Sequence, residues 1–339
     1  MVGILKNISI NIIVFLFLYS ILEILTGQII FKKKYKCSYI LCNADYNYKT
    51  NLYSTEKIHI KYKKDMHGLR GREKSLSKVN ILVIGGSTTD ERYLNLDDTW
   101  VEKLEKNFKK KGKNIDIVNA GIDGQSSYGH IWSLENWINR IEGFSPEYIL
   151  FYFGINEKNI SGRHDFNPKE AEYPKKIWYY LKYNDGITNK IYELIFLKLN
   201  PIDELNVAHS KEREVKYVNV NNSKKYEFIN LKQNVFKMID LSLSLNSKPI
   251  LVTQRTKRWQ IINDKVLSIS VSEDYYSREK KISDIIIAGC KEKKAICIDG
   301  FSIIKFDDDD TYDLVHTTPK GSEKIADVLF DQIGYINFN

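Results

Sequence analysis

Residues of the types used in acyl-transfer chemistry stand at wide intervals along the chain. Ser87 follows two glycines in ILVIGGSTTDERY (81–93), and Asp313 and His316 stand close together in DLVH (313–316). A serine hydroxyl is a weak nucleophile until a base removes its proton, and a histidine base works best when a third group fixes its tautomer. The sequence therefore predicts Ser87 as nucleophile, His316 as its base and Asp313 as the group that orients the base.

Acyl transfer also needs hydrogen-bond donors for the oxyanion of the tetrahedral intermediate. Three groups are suitable in type: the amide of Ser87 at a helix start, the amide of Gly121 in NAGIDGQSS (119–127), and the side-chain NH2 of Asn156 in FGINE (153–157). We expect these donors to form the oxyanion hole. Simpler readings stay open, in which Ser87 is only a helix cap, Asn156 only a turn residue and His316 only a surface histidine.

From Val79 onward, short apolar runs alternate with helical patterns, which is typical of a parallel sheet covered on both faces. The sequence thus predicts a three-layer, doubly wound α/β domain of about five strands. The predicted strands are 79–86, 115–121, 147–154, 249–254 and 295–300. The predicted helices are 99–111, 126–141, 228–245, 272–293 and a last one from Pro319, capped by Thr318.

The placement of the candidate residues agrees with this fold, because ligands of open parallel sheets bind outside the carboxyl ends of the strands. Ser87, Gly121 and Asn156 follow the first three predicted strands, and DLVH follows the fifth. By their positions in the sequence, Arg70 and Gln254 are candidate cleft residues. The remaining histidines have no comparable context, and we interpret them as structural.

Several other classes of site are excluded by missing motifs. Neither G-x-x-x-x-G-K-[ST] nor G-x-G-x-x-G occurs, so we expect no nucleotide cofactor, and without a C-x-x-C pair or an H-E-x-x-H helix we expect no metal site. The net charge of +8 lies in short runs such as KYKK (61–64) and KKKGK (109–113), which are typical of solvated faces. We therefore expect no nucleic-acid partner. The oligomeric state stays open.

The sequence blocks around Ser87, Gly121, Asn156 and DLVH resemble, in order, the four blocks of the SGNH/GDSL hydrolase superfamily. The resemblance runs from HGLRGRE (67–73), similar to a segment of anchored bacterial members, to about residue 333. Two positions depart from the pattern: Gly86 stands where the GDSL name has an acid, and Glu157 where many members have Asp. The resemblance implies a serine hydrolase that acts on esters without a cofactor.

An apolar segment, Ile8 to Phe31, is long enough to cross about 30 Å of hydrocarbon as a helix. We expect residues 1–31 to be a membrane anchor, the alternatives being a cleaved signal peptide or a buried helix. Residues 32–78 are polar and weakly periodic, which indicates an extended connector. The catalytic domain is expected at 79–339, with an insertion at about 157–227 whose aromatic residues line a cleft or pack an accessory helical layer.

Four cysteines stand in two pairs, Cys37 with Cys42 and Cys290 with Cys297, and these could form two bridges in an oxidising compartment. For Cys290 and Cys297, we favour the alternative that they are small buried residues on a helix and a strand. The cysteines therefore do not decide whether the domain lies in an oxidising or a reducing compartment. The lysines after the apolar segment (32–34 and 36) favour a cytoplasmic domain by the positive-inside tendency.

The leading functional hypothesis is a serine esterase that removes O-acyl groups, with acetyl favoured, from a cell-surface polysaccharide or related glycan through an acyl-enzyme. An acylated glycan or lipid is the expected substrate, and the membrane is the expected partner of the first helix. This hypothesis favours a catalytic domain outside the cytoplasm. Two alternatives are an O-acyltransferase that uses the same residues and a non-catalytic glycan-binding or assembly factor.

Overall fold

The computed structural model describes residues 2–26, 40–71, 74–157, 205–207, 216–219, 225–270 and 273–338. The chain divides into two compact units, one formed by Met1–Ile40 with Pro168–Asp203 and the other by Leu41–Asn167 with Glu204–Asn339. All candidate site residues belong to the second unit. Most of the predicted insertion at 157–227 lies outside the described residues.

The described residues form eleven strands: β1 (Asp45–Thr50), β2 (Ile58–Lys63), β3 (Ile81–Gly85), β4 (Ile117–Asn119), β5 (Tyr148–Phe153), β6 (Leu205–Val207), β7 (Val218–Asn219), β8 (Lys248–Thr253), β9 (Trp259–Ile262), β10 (Lys265–Ser268) and β11 (Ile296–Ile298). The same residues form eight α-helices: α1 (Val2–Thr26), α2 (Ser87–Asp90), α3 (Trp100–Lys110), α4 (Ser127–Asn136), α5 (Leu231–Ser244), α6 (Tyr275–Glu292), α7 (Gly300–Ile303) and α8 (Pro319–Ile333).

A five-stranded parallel sheet in the order β11-β8-β5-β3-β4 forms the centre of the second unit. All residues of β3 and β5 are buried, as expected for strands covered on both faces. The five strands predicted from the sequence are thus confirmed. Their carboxyl ends share one edge of the sheet, because all five run in the same direction.

Helices cover both faces of this sheet. On one face, α3 and α8 pack against each other and bury side chains such as Trp100, Phe108 and Leu329 over alternate strand residues, including Val83 and Leu150. On the other face, α4, α5 and α6 pack side by side, and α5 and α6 contact β8. The final helix begins at Pro319, and the Thr318 hydroxyl caps it by accepting from the Gly321 amide, as predicted.

Residues 45–63 differ from the extended connector predicted for 32–78. Strands β1 and β2 pair antiparallel in a hairpin, and β6 adds to β1 in parallel. The hairpin buries one side of each strand, including Tyr48, Ile60 and Tyr62. The compact unit therefore begins near Leu41 and not at residue 79.

A disulfide joins Cys290, at the end of α6, to Cys297 in β11, so the expectation of two unpaired cysteines was wrong. The turn between helix and strand brings the two Cα atoms to 5.9 Å, within the usual range for a disulfide. Cys42 is also disulfide-bonded, whereas Cys37 lies outside the described residues.

The predicted anchor overlaps α1, whose side chains from Ile8 to Leu18 are largely exposed. Among the residues that the structure describes, no helix combines the length and the hydropathy needed to cross a bilayer.

Candidate active site

Ser87 stands at the carboxyl edge of the sheet, where β3 ends and α2 begins. Gly86 is the extended residue between them, with φ −88° and ψ −151°, and Ser87 opens the short helix. The three other residues of that helix are buried, whereas Ser87 stays half-exposed. A Cβ at Gly86 would lie 2.7 Å from Asn156 Nδ2, so the glycine lets Asn156 come close to the nucleophile turn.

The structure brings Ser87, His316 and Asp313 together in one hydrogen-bonded chain. His316 Nε2 lies 2.8 Å from Ser87 Oγ, and His316 Nδ1 lies 2.6 Å from Asp313 Oδ2. With the proton of the neutral imidazole on Nδ1, the ring donates to the carboxylate and Nε2 can accept the serine proton. This arrangement is the one that activates a serine hydroxyl.

The turn between Asp313 and His316 explains how the Asp313 carboxylate reaches the imidazole that contacts Ser87. Asp313 Oδ1 accepts the backbone N–H of Val315 at 3.0 Å and of His316 at 2.7 Å, and Leu314 takes a left-handed φ of 70°. One carboxylate oxygen therefore shapes the turn, while the other orients the imidazole. Burial by itself raises the pKa of Asp313, but the hydrogen bonds and charge of His316 lower the pKa overall. Asp313 therefore remains a carboxylate at neutral pH.

Neighbouring contacts hold this turn, which we call the histidine loop (311–317). Thr311 pairs with Thr317 at its base, and the Tyr312 amide donates to the His316 carbonyl at 3.0 Å. The Tyr312 ring lies parallel to the imidazole of His316, with centroids 5.8 Å apart. On the other side, the Lys257 amide donates to the Leu314 carbonyl at 2.8 Å. The loop is thus attached to the segment that follows β8.

Asn156 lies beside this group, as the sequence predicts. It follows β5, and its Nδ2 donates to the Gln125 carbonyl at 3.0 Å. A carboxamide carries two donor protons, so this bond engages one of them. Gln125 is in turn fixed by its side chain, which contacts His130 Nδ1 at 3.2 Å and donates to Ser133 Oγ at 3.0 Å.

Glu157 attaches the Asn156 segment to the start of α4. Its carboxylate accepts the Ser127 amide at 2.6 Å and the Ser127 hydroxyl at 2.9 Å. The Arg278 guanidinium donates to the Glu157 carbonyl at 2.5 Å. Burial raises the pKa of Glu157 to about 7, although the Ser127 hydrogen bonds oppose the shift. The glutamate thus has a structural use at this departure from the family pattern.

Gly121 is not placed as an oxyanion donor. Its N–H already donates to Asn119 Oδ1 at 2.7 Å, and its carbonyl accepts from Lys64 Nζ at 2.7 Å. A Cβ at Gly121 would lie 2.4 Å from the Asp90 amide nitrogen. Glycine is needed here because residue 121 packs closely against α2. The prediction that the Gly121 amide is an oxyanion donor does not fit the structure.

Gly124, in the same loop, was missed by the sequence reasoning. Its φ of 74° is left-handed and a Cβ there would meet open space. It directly precedes Gln125, whose carbonyl holds Asn156. The second glycine of the block, GIDG (121–124), was the available signal.

The two candidate cleft residues, Arg70 and Gln254, are both buried, and their side chains hold neighbouring segments together through hydrogen bonds. Gln254 Nε2 donates to Thr88 Oγ1 at 2.7 Å, and Gln254 Oε1 accepts the Ile155 amide at 3.1 Å. Gln254 thereby links the residues next to Ser87 and Asn156. The Arg70 guanidinium donates to backbone carbonyls at the end of α2, at Asp90, Glu91 and Leu94.

A buried ion pair joins Lys64, which directly follows the β1–β2 hairpin, to Asp90 at the end of α2. Lys64 Nζ lies 3.3 Å from Asp90 Oδ1, and the Tyr62 hydroxyl donates to the same oxygen at 2.7 Å. Burial lowers the pKa of Lys64, and for Asp90 the nearby lysine and arginines outweigh burial and lower the pKa. The end of the hairpin is therefore fixed to α2 through Asp90.

Comparisons with known proteins find similar solved structures at low sequence identity. A catalytic mutant of an acetylxylan esterase from Geobacillus stearothermophilus is 14% identical over 76% of this chain and 97% of its own, with a TM-score of 0.43. A lipase/acylhydrolase from Enterococcus faecalis is 12% identical over 77% and 99%, with a TM-score of 0.45. A GDSL-like lipase from Bacteroides thetaiotaomicron is 15% identical over 78% and 92%, with a TM-score of 0.39.

No protein-family model matches the sequence, and the comparison with curated proteins finds no match. At these identities and TM-scores, the function is inferred from the geometry of the site.

Proposed function

We propose that the protein is a serine hydrolase that cleaves carboxylic esters through an acyl-enzyme. The observation that carries the proposal is the hydrogen-bonded chain from Ser87 Oγ to His316 Nε2, 2.8 Å, and from His316 Nδ1 to Asp313 Oδ2, 2.6 Å. A helix cap or a surface histidine has no need of this chain, which favours the catalytic reading of both residues.

In the acylation step, Ser87 Oγ forms a bond to the ester carbonyl carbon while its proton passes to His316 Nε2. The Asp313 carboxylate stabilises the imidazolium that results. The tetrahedral intermediate collapses when the carbon–oxygen bond to the alcohol breaks, and the alcohol leaves with the proton from Nε2. Water then attacks the acyl-enzyme with His316 as base, which releases the acid and restores the serine.

For the oxyanion, we propose the Ser87 amide, the Asn156 side chain and the Gly124 amide as donors. Gly124 replaces Gly121, whose N–H is bonded to Asn119. Support for Gly124 comes from its left-handed φ of 74°, its open surroundings and its position next to Gln125. Preorganised donors of this kind are worth about 100- to 1000-fold in rate each.

The proposed substrate is an O-acyl group, acetyl being favoured, on a cell-surface glycan. The exposed position of the site supports a polymeric substrate, because the side chains of His316 and Asp313 keep 30% and 43% of their surface in solvent. An ester on a chain of sugars can approach such a site without entering a closed cavity.

We also propose that the catalytic unit works outside the cytoplasm, attached to the membrane by residues 1–31. The disulfide between Cys290 and Cys297 supports an oxidising compartment, since structural disulfides are rare in the cytosol. The apolar run from Ile8 to Phe31 in the sequence supports the attachment. Membrane fractionation and an alkaline phosphatase fusion at the carboxyl terminus test both statements. Recovery of the protein in the soluble fraction would contradict the membrane attachment. A carboxyl-terminal fusion that is active only with a cytoplasmic reporter would contradict the location outside the cytoplasm.

The experiment for the proposed activity is hydrolysis of p-nitrophenyl acetate by the purified protein and by Ser87→Ala and His316→Ala. We expect each variant to lose at least about 10⁴-fold in kcat while remaining folded, as in other triads. Equal rates in the wild type and both variants would remove the hydrolase proposal. Release of acetate from an O-acetylated polysaccharide then tests the substrate, and acetyl transfer only in the presence of a sugar acceptor would indicate a transferase.

A further inference from the structure

Glu91, which directly follows α2, has an unusual backbone conformation. Its φ of 43° is left-handed, a region that residues other than glycine seldom adopt because Cβ crowds the backbone. Its N–H donates to the Ser87 carbonyl at 2.8 Å, and its own carbonyl accepts from the Arg70 guanidinium at 2.7 Å. The backbone of Glu91 is therefore tied directly to the nucleophile residue.

The side chain of Glu91 is buried and contacts the residue that follows His316. Its Oε1 accepts the Thr317 hydroxyl at 2.7 Å and the Ser322 hydroxyl at 2.5 Å, and its Oε2 accepts the Trp100 amide at 2.8 Å. Thr317 directly follows His316 and forms the base of the histidine loop with Thr311. A single carboxylate thus connects that loop with the starts of α3 and α8.

These contacts define the position of the histidine loop relative to α2. The base of the loop is closed by the Thr311–Thr317 pair and by the bond from the Tyr312 amide to the His316 carbonyl. If Thr317 shifts, His316 shifts with it. Reacting groups displaced by about 1 Å can lose about 100-fold in rate, so this attachment matters for catalysis.

We propose that Glu91 is a positioning residue, which sets the distance between Ser87 Oγ and His316 Nε2 by holding both residues from one point. The proposal rests on the proposed function, because the serine–histidine pair is what Glu91 holds. A glycine would take the left-handed backbone without steric cost, and the carboxylate contacts account for a glutamate at this place.

The test uses a fluorophosphonate, which reacts with activated serines of hydrolases and transferases alike. The maximal rate of Ser87 labelling and the concentration for half-maximal rate are measured by mass spectrometry for the full chain, Ser87→Ala, Glu91→Gln and Glu91→Gly. Glu105→Gln is the matched control, because the Glu105 carboxylate accepts the Ile117 amide at 2.7 Å, at the opposite end of the sheet. Thr317→Val removes one hydroxyl, which donates to Glu91 Oε1 at 2.7 Å and accepts from Ser322 Oγ at 2.9 Å, and it guards against a Glu91 variant that does not fold.

We expect both Glu91 variants to lower the maximal rate about 10- to 100-fold with less than about 2-fold change in the half-maximal concentration. Thr317→Val should lower the maximal rate less than the Glu91 variants do, and Glu105→Gln should have the maximal rate of the wild type. If Ser87 is labelled in the wild type and is labelled equally fast in folded Glu91 and Thr317 variants, the positioning role is overturned and the proposed function is not. A wild type that labels no faster than Ser87→Ala would overturn the proposed function, and the positioning role with it.

Discussion

Gly121 and Gly124 belong to one loop, and the structure gives them opposite surroundings. A Cβ at Gly121 would lie 2.4 Å from the Asp90 amide nitrogen, whereas a Cβ at Gly124 would meet open space. We expect Gly121→Ala to lower the free energy of unfolding by about 1–3 kcal/mol or more through overpacking. Gly124→Ala should cost about 1–2 kcal/mol for its left-handed φ and shift the proposed donor amide. Urea unfolding and kcat for both variants check this, and a Gly121→Ala protein as stable as wild type would contradict it.

Among the proposed oxyanion donors, Asn156 is the one whose donor group is a side chain and can be removed by substitution. We expect Asn156→Ala to lower kcat for p-nitrophenyl acetate by about 100- to 1000-fold, since one preorganised donor is lost. Its KM should change little, because the donor acts on charge that develops in the transition state. A variant that keeps wild-type kcat would show that Asn156 serves only to hold the Gln125 loop.

The grouping of the candidate site residues could be predicted from the sequence, because it depends on residue type and on position after a strand. Ser87, Asn156, Asp313 and His316 each follow a strand of the sheet, and the structure brings them together. The choice between Gly121 and Gly124 could not be made, because it depends on which amide an asparagine side chain already binds. Glu91 was also missed, since two of its partners, Thr317 and Ser322, are more than 200 residues away.

At the scale of elements, two buried glutamates brace the loops around the site. Burial raises the pKa of Glu91 and of Glu157 from 4.5 to about 7, against the hydrogen bonds and the charges of Arg70 and Arg278 that oppose it. A raised pKa means that the folded state binds more protons than the unfolded state between pH 4.5 and about 7. Stability that is present below pH 4.5 is therefore lost as the pH rises through about 7.

We expect the midpoint temperature of unfolding to decrease as the pH is raised from 5 to 8, and Glu157→Gln to flatten this dependence. Burial lowers the pKa of His130 to about 3, so this histidine opposes part of the decrease below pH 6.5. Aspartates with a lowered pKa, such as Asp313 and Asp90, change their protonation only below the ordinary pKa of 3.8. They therefore do not affect the stability between pH 5 and pH 8. Differential scanning calorimetry across the range measures the slope. An unfolding midpoint that rises steadily from pH 5 to pH 8 would contradict the assignment.

The disulfide between α6 and β11 closes a short loop at the edge of the sheet. Replacement of Cys290 and Cys297 by alanine should lower the free energy of unfolding by about 2 kcal/mol, the value expected for a loop of this length. The variant should keep the wild-type kcat, because two strands, β8 and β5, separate β11 from β3 and Ser87. Unfolding of the variant in denaturant measures the loss, and a variant as stable as the oxidised wild type would count against the bridge.

The main strands and helices were predictable because their apolar periodicity is strong. The β1–β2 hairpin was not, since its sequences DYNYKT and IHIKYK carry lysines and tyrosines whose alternation becomes evident only with their burial. The disulfide was missed because the distance between two cysteines depends on the turn that joins helix to strand. These failures concern contacts between distant segments, which local patterns do not encode.

At the scale of the whole molecule, the compact unit that holds the candidate site extends back to Leu41. Residues 41–339 should therefore give a folded, active protein. Residues 79–339 should not, because this fragment lacks Lys64, which pairs with buried Asp90, and Arg70, which binds the end of α2. Removal of one partner of a buried ion pair typically costs about 3–5 kcal/mol. Circular dichroism and kcat compare the two fragments, and equal activity would contradict the unit boundary.

The central claim is that Ser87 carries the acyl group during the reaction. The most direct measurement is mass spectrometry of the wild-type protein after acid quenching of its reaction with p-nitrophenyl acetate. We predict one added acetyl group per chain, located on the peptide that contains Ser87 and absent in Ser87→Ala. Turnover without such an adduct, or an acetyl group on another residue that turns over equally in Ser87→Ala, would contradict the account.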